Sequence, residues 1–147
     1  MKIGIASDHG GFELKEFLRE YLKKSGIDVS DFGCYSLESV DYPDFAHKLC
    51  NELLKGNISR GILICGTGLG MSITANRYKG IRATLCNDLF SAIMSRRHNN
   101  SNVLVMGGRV VGKDLSVEIL KRWLEEVFEG DRHVRRLNKI DNNIGSV

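Results

Sequence analysis

The chain has 147 residues, of which 42% are hydrophobic and 27% are charged, and it carries a formal net charge of +3. This balance is that of an ordinary globular protein, and the length suits one full core, so we expect a single domain over residues 1–147. The positive excess is mild and is concentrated in residues 132–139. It predicts a local anion site and excludes a broad nucleic-acid-binding surface.

The four cysteines are widely spaced, with no Cys-x-x-Cys pair and no Cys/His cluster along the sequence. This pattern argues against a zinc site and against a disulfide framework, so we expect free thiols in a reducing compartment. No apolar run approaches membrane-spanning length, and Met1 leads directly into a strand without a signal peptide. The sequence therefore predicts a cytoplasmic protein without a membrane partner.

The first third of the chain alternates between strand and helix patterns. Residues 2–6 form a short strand, and from Phe12 the apolar positions follow helical spacing until Gly26 ends the helix. Residues 28–32 form a weaker second strand. Pro43 is then placed to open a second helix, whose apolar face comprises Phe45, Ala46, Leu49, Cys50, Leu53 and Leu54.

A third strand leads into a glycine-rich turn. Residues 62–64 form an uninterrupted apolar run, which predicts a strand buried on both faces of a parallel sheet. Cys65 follows, and the next turn contains Gly66, Gly68 and Gly70. These glycines allow a tight turn whose N–H groups approach a ligand. The pattern becomes helical again over residues 72–77, so the turn ends at a helix N-terminus, which favours an anion.

The remaining chain repeats the alternation. Residues 81–86 form a fourth strand, and Asp88 is placed to cap a helix over Leu89–Arg97. Residues 101–106 form a fifth strand. Asp114 is expected to cap a long helix that Gly130 stops, and the basic tail is interpreted as a short helix with a frayed end.

Strands that alternate with helices predict a parallel sheet covered on both faces, with right-handed crossovers. We therefore assign the chain to the α/β class, as a Rossmann-like three-layer sandwich with a five-stranded parallel sheet in the order 2-1-3-4-5. Ligands bind such sheets beyond the carboxyl ends of the strands, where the order reverses between strands one and three. Those two ends carry Asp8-His9 and Cys65-Gly66-Thr67, so we expect a site there.

Common phosphate-binding motifs do not match the turn after Cys65. The third glycine of the dinucleotide fingerprint would fall at Met71, and no Gly-Lys-Ser/Thr follows. A cysteine phosphatase loop would need an arginine at the same Met71. A packed cysteine in a plain strand-to-helix turn remains the alternative on these residues alone.

Six short motifs, taken in order, resemble one known family. They are Ser7-Asp8-His9-Gly10-Gly11, Asp41-Tyr42-Pro43, Cys65-Gly-Thr-Gly-x-Gly-Met-Ser72, Arg96-x-His98-Asn99, Gly107-Gly108-Arg109 and Arg132-His133-x-x-Arg136. Over essentially the whole chain they resemble the type B ribose-5-phosphate isomerases, a family that also contains galactose-6-phosphate and allose-6-phosphate isomerases. The resemblance implies an aldose–ketose isomerase that interconverts D-ribose 5-phosphate and D-ribulose 5-phosphate without a metal or an organic cofactor.

The resemblance also implies residue roles. Isomerisation needs a base that moves a proton between adjacent carbons and donors for the enediolate oxygen. Cys65 would be the base, because residues 66–87 contain no Asp or Glu that could replace it. His98 would open the sugar ring. Thr67 would be the third catalytic residue, because its hydroxyl joins the amides of residues 66–70 in a cradle for the enediolate. The substrate ligands would be Gly66, Gly68, Leu69 and Gly70 of this cradle, the hydroxyl ligands Asp8 and Asn99, the phosphate ligands His9, Arg132 and Arg136, and the further positions Tyr42 and Arg109. Leu69 stands where the family often has a polar residue, so its contribution would be its amide.

The topology separates two of these residues from the others. His98 and Asn99 lie between a helix and the fifth strand, at the amino ends of the strands and opposite Cys65. A five-residue strand spans about 16 Å, which is too far for an imidazole to reach around. A catalytic His98 would therefore come from a second subunit. The resemblance likewise implies a homodimer with shared sites, with a dimer of dimers as a further option.

Several alternatives stay open at this point. The substrate could be a six-carbon 6-phosphate, or the chain could be a non-catalytic module that binds a sugar phosphate. Individual residues also have structural interpretations. His9 and His98 could be hydrogen-bonded structural histidines, Asp8 a helix cap, Tyr42 the closure of a turn, and Arg132 and Arg136 a solvated helix face.

Overall fold

A computed structural model describes residues 1–143 as a parallel five-stranded sheet with helices on both faces, which confirms the α/β class. The strands are β1 (Lys2–Ser7), β2 (Asp28–Asp31), β3 (Arg60–Cys65), β4 (Ala83–Leu85) and β5 (Val103–Gly107). The helices are α1 (Phe12–Lys24), α2 (Tyr42–Leu54), α3 (Leu69–Ala75), α4 (Leu89–Arg97), α5 (Lys113–Glu125) and α6 (Arg132–Asn143). A short 3-10 turn, His9–Gly11, precedes α1.

The strand order is β2-β1-β3-β5-β4, so the predicted order 2-1-3-4-5 was wrong at one edge of the sheet. β5 is buried at all five positions, as a strand with a neighbour on each side should be. β4 has only three residues, two of them half-buried, and it pairs with β5 alone. Short, partly exposed strands suit sheet edges. The consequence is that the ends of β1, β3 and β5 lie side by side.

Side chains of β3 alternate between two hydrophobic clusters, one on each face of the sheet. Ile62 and Ile64 belong to the cluster that contains Trp123 of α5 and residues of α1. Leu63 and Cys65 belong to the opposite cluster, with Leu49 of α2 and residues of α3. The sulfur of Cys65 therefore faces α2 and α3, at the end of a strand whose preceding residues Ile62, Leu63 and Ile64 are core.

Three helix boundaries differ from the predicted ones. α3 begins at Leu69, ahead of the expected residue 72. Asp114 lies in the first turn of α5 but is not its cap, because Gly112 occupies the N-cap without a side-chain hydrogen bond. α5 ends at Glu125, and Gly130 instead adopts a positive φ of 73° shortly before α6.

The expected cap of α4 is confirmed, since the N–H of Ser91 donates to Asp88 Oδ1 at 2.7 Å. The predicted C-terminal helix is also confirmed as α6. Its predicted frayed end lies outside the described residues. Within residues 1–143, no helix combines the length and the apolar composition that a membrane crossing requires.

Candidate active site

Three loops meet at the carboxyl edge of the sheet, which is the edge formed by the carboxyl ends of the strands. A Cβ atom added to Gly10, after β1, would lie 3.0 Å from the amide nitrogen of Gly66, after β3. A Cβ atom on Gly108, after β5, would lie 2.7 Å from the carbonyl oxygen of Gly10. Glycine is needed here because the backbones themselves are in contact. The loops that carry Asp8-His9, Cys65-Gly66-Thr67 and Arg109 are thereby brought together.

Asp8 and His9 occupy the loop after β1. The carboxylate of Asp8 is buried, and its Oδ1 accepts the N–H of Gly11 at 3.0 Å. One of its two oxygens therefore caps the 3-10 turn, as the structural interpretation of Asp8 predicted. His9 Nδ1 accepts the N–H of Val40 at 3.2 Å. A neutral imidazole with an accepting Nδ1 carries its proton on Nε2. His9 therefore presents an N–H donor, which is the group that a phosphate oxygen requires.

Cys65 ends β3 and is only 4% exposed. Its Sγ accepts the N–H of Gly68 at 3.1 Å. Gly68 makes this contact with a φ of 82°, in the left-handed region that favours glycine. The sulfur is the acceptor in this contact, and the turn therefore directs a backbone N–H group at it.

Two other cysteines, Cys50 and Cys86, lie in the hydrophobic core. Burial raises the pKa of the Cys50 thiol to about 12. Burial also raises the pKa of Cys86. Both side chains are therefore held as protonated thiols inside the core, where they pack as small apolar groups.

The turn after Cys65 uses some of its amides internally and leaves others available. Gly68 donates to the sulfur, and Leu69 donates to Thr67 Oγ1 at 3.3 Å. Among the hydrogen bonds of residues 1–143, none uses the N–H groups of Gly66 and Thr67. These two amides are the donors that the turn offers to an oxyanion. The side chain of Leu69 is 56% exposed.

Tyr42 and Arg109 also lie at this edge. The Tyr42 ring lies over the first turn of α3, since a Cβ atom on Gly70 would come within 2.5 Å of Tyr42 Cζ. The Arg109 N–H donates to the carbonyl of Gly66 at 3.0 Å, and its guanidinium packs over the same glycine. Both side chains therefore border the turn that follows Cys65.

His98, Asn99, Arg132 and Arg136 lie instead at the amino edge of the sheet, formed by the amino ends of the strands. The chain after α4 runs into the start of β5, and the N–H of Val103 donates to Arg82 O at 3.4 Å. Arg82 Nη1 is 3.3 Å from Asp141 Oδ2, which attaches α6 to this edge. The topological prediction that His98 lies opposite Cys65 is confirmed. The separation is of the order of a five-residue strand, about 16 Å.

The ring of His98 stacks on the ring of His133, with centroids 4.3 Å apart and an interplanar angle of 12°. Glu129 Oε2 lies 3.7 Å from His98 Nε2 and 3.6 Å from His133 Nε2. Burial lowers the pKa of His133, and the charges of His98, Arg132 and Arg136 lower it further. We name these three residues, His98, Glu129 and His133, the histidine cluster. Glu129 was missed by sequence reasoning, although it stands only four residues before His133.

The turn that carries His98 and Asn99 is held by two arginines. Asn100 adopts a positive φ of 44°. Arg96 Nη1 donates to Asn100 Oδ1 at 3.0 Å, and Arg82 Nε donates to Asn100 O at 3.1 Å. Arg96 is itself buried, and this burial, with the nearby Arg82 and Arg60, lowers the pKa of its guanidinium to about 10. The supporting role of Arg96 was also missed, although Arg96 opens the Arg96-x-His98-Asn99 motif.

Comparison with known proteins identifies close relatives over nearly the whole chain. The sequence pattern of the Ribose/Galactose Isomerase family matches residues 3–140. The structure of Clostridium thermocellum ribose-5-phosphate isomerase B is 52% identical, with a TM-score of 0.96 over 97% of this chain and 96% of that chain. Escherichia coli ribose-5-phosphate isomerase B is 45% identical over 95% of this chain and 93% of its own length. A Bacillus subtilis protein named putative sugar phosphate isomerase YwlF is 48% identical over 97% of this chain and 96% of its own.

Fold, site and relatives together define an aldose–ketose isomerase of phosphorylated sugars. This class excludes the alternative of a non-catalytic binding module. The chain belongs to the family of type B ribose-5-phosphate isomerases.

Proposed function

We propose that this isomerase interconverts D-ribose 5-phosphate and D-ribulose 5-phosphate through an enediolate. The observation that carries the proposal is the 3.1 Å hydrogen bond from the Gly68 amide to Cys65 Sγ. It supports a thiolate base directly beside the unused amides of Gly66 and Thr67. A base and oxyanion donors in one place are what a proton shift next to a carbonyl requires.

The proposed reaction begins with the cyclic sugar phosphate. His98 removes the proton of the C1 hydroxyl, the bond between C1 and the ring oxygen breaks, and His98 returns a proton to the ring oxygen, which gives the open-chain aldehyde. The Cys65 thiolate then takes the C2 proton, and the electron pair moves to the carbonyl oxygen to form the enediolate. The C2 hydroxyl proton then passes to the C1 oxygen, the C2–oxygen electron pair forms the new carbonyl, and the thiol returns its proton to C1, which regenerates the thiolate. The product is the ketose, and no atom is gained or lost.

The remaining ligands hold the substrate around this centre. Thr67 and Gly70 complete the cradle with Gly66, whereas the amides of Gly68 and Leu69 donate to Cys65 Sγ and Thr67 Oγ1 and hold the turn in shape. The carboxylate of Asp8 and the amide of Asn99 bind sugar hydroxyls. The Nε2–H of His9 donates to the phosphate. Tyr42, at the start of α2, and Arg109, after β5, line two further sides of the site. This assignment follows the family pattern and is supported by the meeting of the three glycine loops.

We further propose that the active enzyme is a homodimer with two shared sites. Cys65 and His98 lie on opposite edges of the sheet within one chain, so a single chain does not bring both to one substrate. A C2 dimer would pair the carboxyl edge of one chain with the amino edge of the other, twice. The four cysteines are free thiols, which supports a reducing compartment, and we propose the cytoplasm.

Replacing Arg132 or Arg136 by Ala is expected to raise KM for ribose 5-phosphate about tenfold to a hundredfold, the value of a charge-assisted hydrogen bond. The two side chains are four residues apart on α6 and both are exposed, so they can meet one phosphate. Steady-state kinetics measures the effect. Arg135→Ala is the matched control, since it removes the same charge from the same helix about 100° away from Arg136. An unchanged KM in both test variants would show that Arg132 and Arg136 do not bind the phosphate and are simply solvated residues of the helix.

The substrate assignment is tested by comparing kcat/KM for ribose 5-phosphate, allose 6-phosphate and galactose 6-phosphate in a coupled assay. The pentose phosphate is expected to be preferred by about tenfold or more, because a site built for five carbons must shift to accept a sixth. A higher kcat/KM for either hexose phosphate would favour the six-carbon alternative. The class of enzyme would be unaffected by that result.

A further inference from the structure

The histidine cluster contains a buried nitrogen that no protein group satisfies. His133 is 5% exposed, and its Nε2 has no hydrogen-bond partner among the described residues. Buried polar atoms are almost always paired, so an unpaired one calls for an explanation. Glu129 Oε2 is the polar atom in front of it, but their separation of 3.6 Å exceeds a good hydrogen bond.

The spacing of the cluster matches the spacing of metal ligands. Zinc binds histidine nitrogen and carboxylate oxygen at about 2.1 Å, so two ligand atoms at a tetrahedral angle are about 3.4 Å apart. Glu129 Oε2 lies 3.7 Å from His98 Nε2 and 3.6 Å from His133 Nε2. One ligand atom from each of the three residues lies within 4.8 Å of the others. The two rings are stacked, so the half-exposed ring of His98 would turn out of the stack to direct its in-plane Nε2 lone pair at an ion shared with His133.

The environment indicates which ions fit and how tightly. Two imidazoles and one carboxylate suit zinc, cobalt, nickel or copper and do not suit magnesium or calcium. His98 is 38% exposed and Glu129 is 47% exposed, so water can complete the coordination shell. Arg132 and Arg136 carry positive charge close to His133, which opposes a cation. These charges favour reversible binding over a permanently bound ion.

We propose that His98, Glu129 and His133 form a transition-metal site, and that an ion such as Zn²⁺ bound there inhibits the isomerase by occupying His98. The inhibitory part rests on the proposed ring-opening role of His98. The binding part does not, because it depends only on the geometry of the cluster. The ion has no role in the isomerisation itself.

Binding is tested with Co²⁺ as a spectroscopic probe on untagged, chelator-treated protein. Wild-type protein is expected to bind one ion per chain, with visible bands typical of nitrogen and oxygen ligands and without the charge-transfer bands of a thiolate. Glu129→Gln and His133→Asn should each weaken binding by at least about tenfold. Glu129 is half-exposed, so its variant tests the site even if His133→Asn folds poorly.

Two control variants make the binding test specific. Glu126→Gln removes a neighbouring carboxylate that pairs with Arg97 at 2.6 Å, and it should bind Co²⁺ as the wild type does. Cys65→Ala should also retain binding. Unchanged affinity in Glu129→Gln and His133→Asn, or loss of binding in Cys65→Ala, would overturn the proposed site.

Inhibition is measured separately, by adding Zn²⁺ to the isomerase assay and then removing it with a chelator. Wild-type activity should fall and recover, and Glu129→Gln should need at least about tenfold more Zn²⁺ for half inhibition. Wild-type protein that binds the ion at the cluster yet keeps full turnover would overturn the inhibitory part and count against His98. In a different outcome, wild-type protein binds the metal ion only weakly while His98→Ala loses isomerase activity as proposed. That result would overturn the metal site and leave the proposed function standing.

Discussion

Replacing Cys65 by Ala is expected to lower kcat about a hundredfold to ten-thousandfold, the usual range for removal of a general base. The thiol is the proton-transfer group, whereas the phosphate ligands His9, Arg132 and Arg136 remain in place, so KM should change far less. The fold should persist, because alanine is accommodated at the end of β3 and the Gly68 turn keeps its backbone contacts. Steady-state kinetics and thermal unfolding measure the two effects.

Two further variants make this result specific to Cys65. Cys65→Ser should be almost as inactive, since serine needs a partner acid and residues 66–87 contain none. Cys50→Ala removes another buried thiol, one whose pKa is raised to about 12 by burial, and it should keep its kcat. Near-normal turnover in Cys65→Ala would show that another group moves the proton.

The sheet and the turn after Cys65 were predictable because their signals are local. An apolar run such as Ile62-Leu63-Ile64 identifies a buried strand from neighbouring residues alone, and the glycines that follow it identify the turn. The position of the site then followed from topology, since parallel strands present their carboxyl ends at one edge.

The strand order was not predictable in the same way, because it depends on which strands pair across the sheet. The predicted order followed the chain and placed the fifth strand at the edge. In the structure the edge strand is instead Ala83–Leu85, which is only partly buried, whereas Val103–Gly107 is fully buried and lies inside the sheet. The uninterrupted apolar run Val103-Leu104-Val105-Met106 was the available signal. The order matters for function because it brings Arg109 beside Cys65.

The histidine cluster shows a second limit. Glu129 and His133 are only four residues apart in the sequence, but His98 is supplied by the end of α4, far away in the chain. Only the packing of α4 against the segment before α6 brings the three together, with the N–H of Glu129 donating to Arg97 O at 3.0 Å. The sequence does not reveal that Arg96 holds the turn that carries His98 and Asn99, because this role depends on tertiary contacts of its partner Asn100.

Mixing inactive Cys65→Ala chains with inactive His98→Ala chains is expected to restore isomerase activity. In a shared-site dimer, each site takes Cys65 from one chain and His98 from the other. A mixed dimer therefore has one doubly damaged site and one intact site. Random exchange makes half of the dimers mixed, so about a quarter of wild-type activity should return. The measurement is kcat after subunit exchange, with two affinity tags to isolate the mixed dimers.

The matched control is a mixture of Cys65→Ala with Cys65→Ser chains under the same exchange conditions. Every site in those dimers lacks the thiol, so no activity should return, whichever way the chains pair. Activity should return only when mixed dimers form. If each site were built from a single chain, every site would keep its own substitution, and pairing with the other variant would restore nothing. Verified mixed dimers no more active than their parents would therefore contradict the shared site. His98 would then have no catalytic role, because within its own chain it lies at the edge of the sheet opposite the thiol and cannot reach the same sugar.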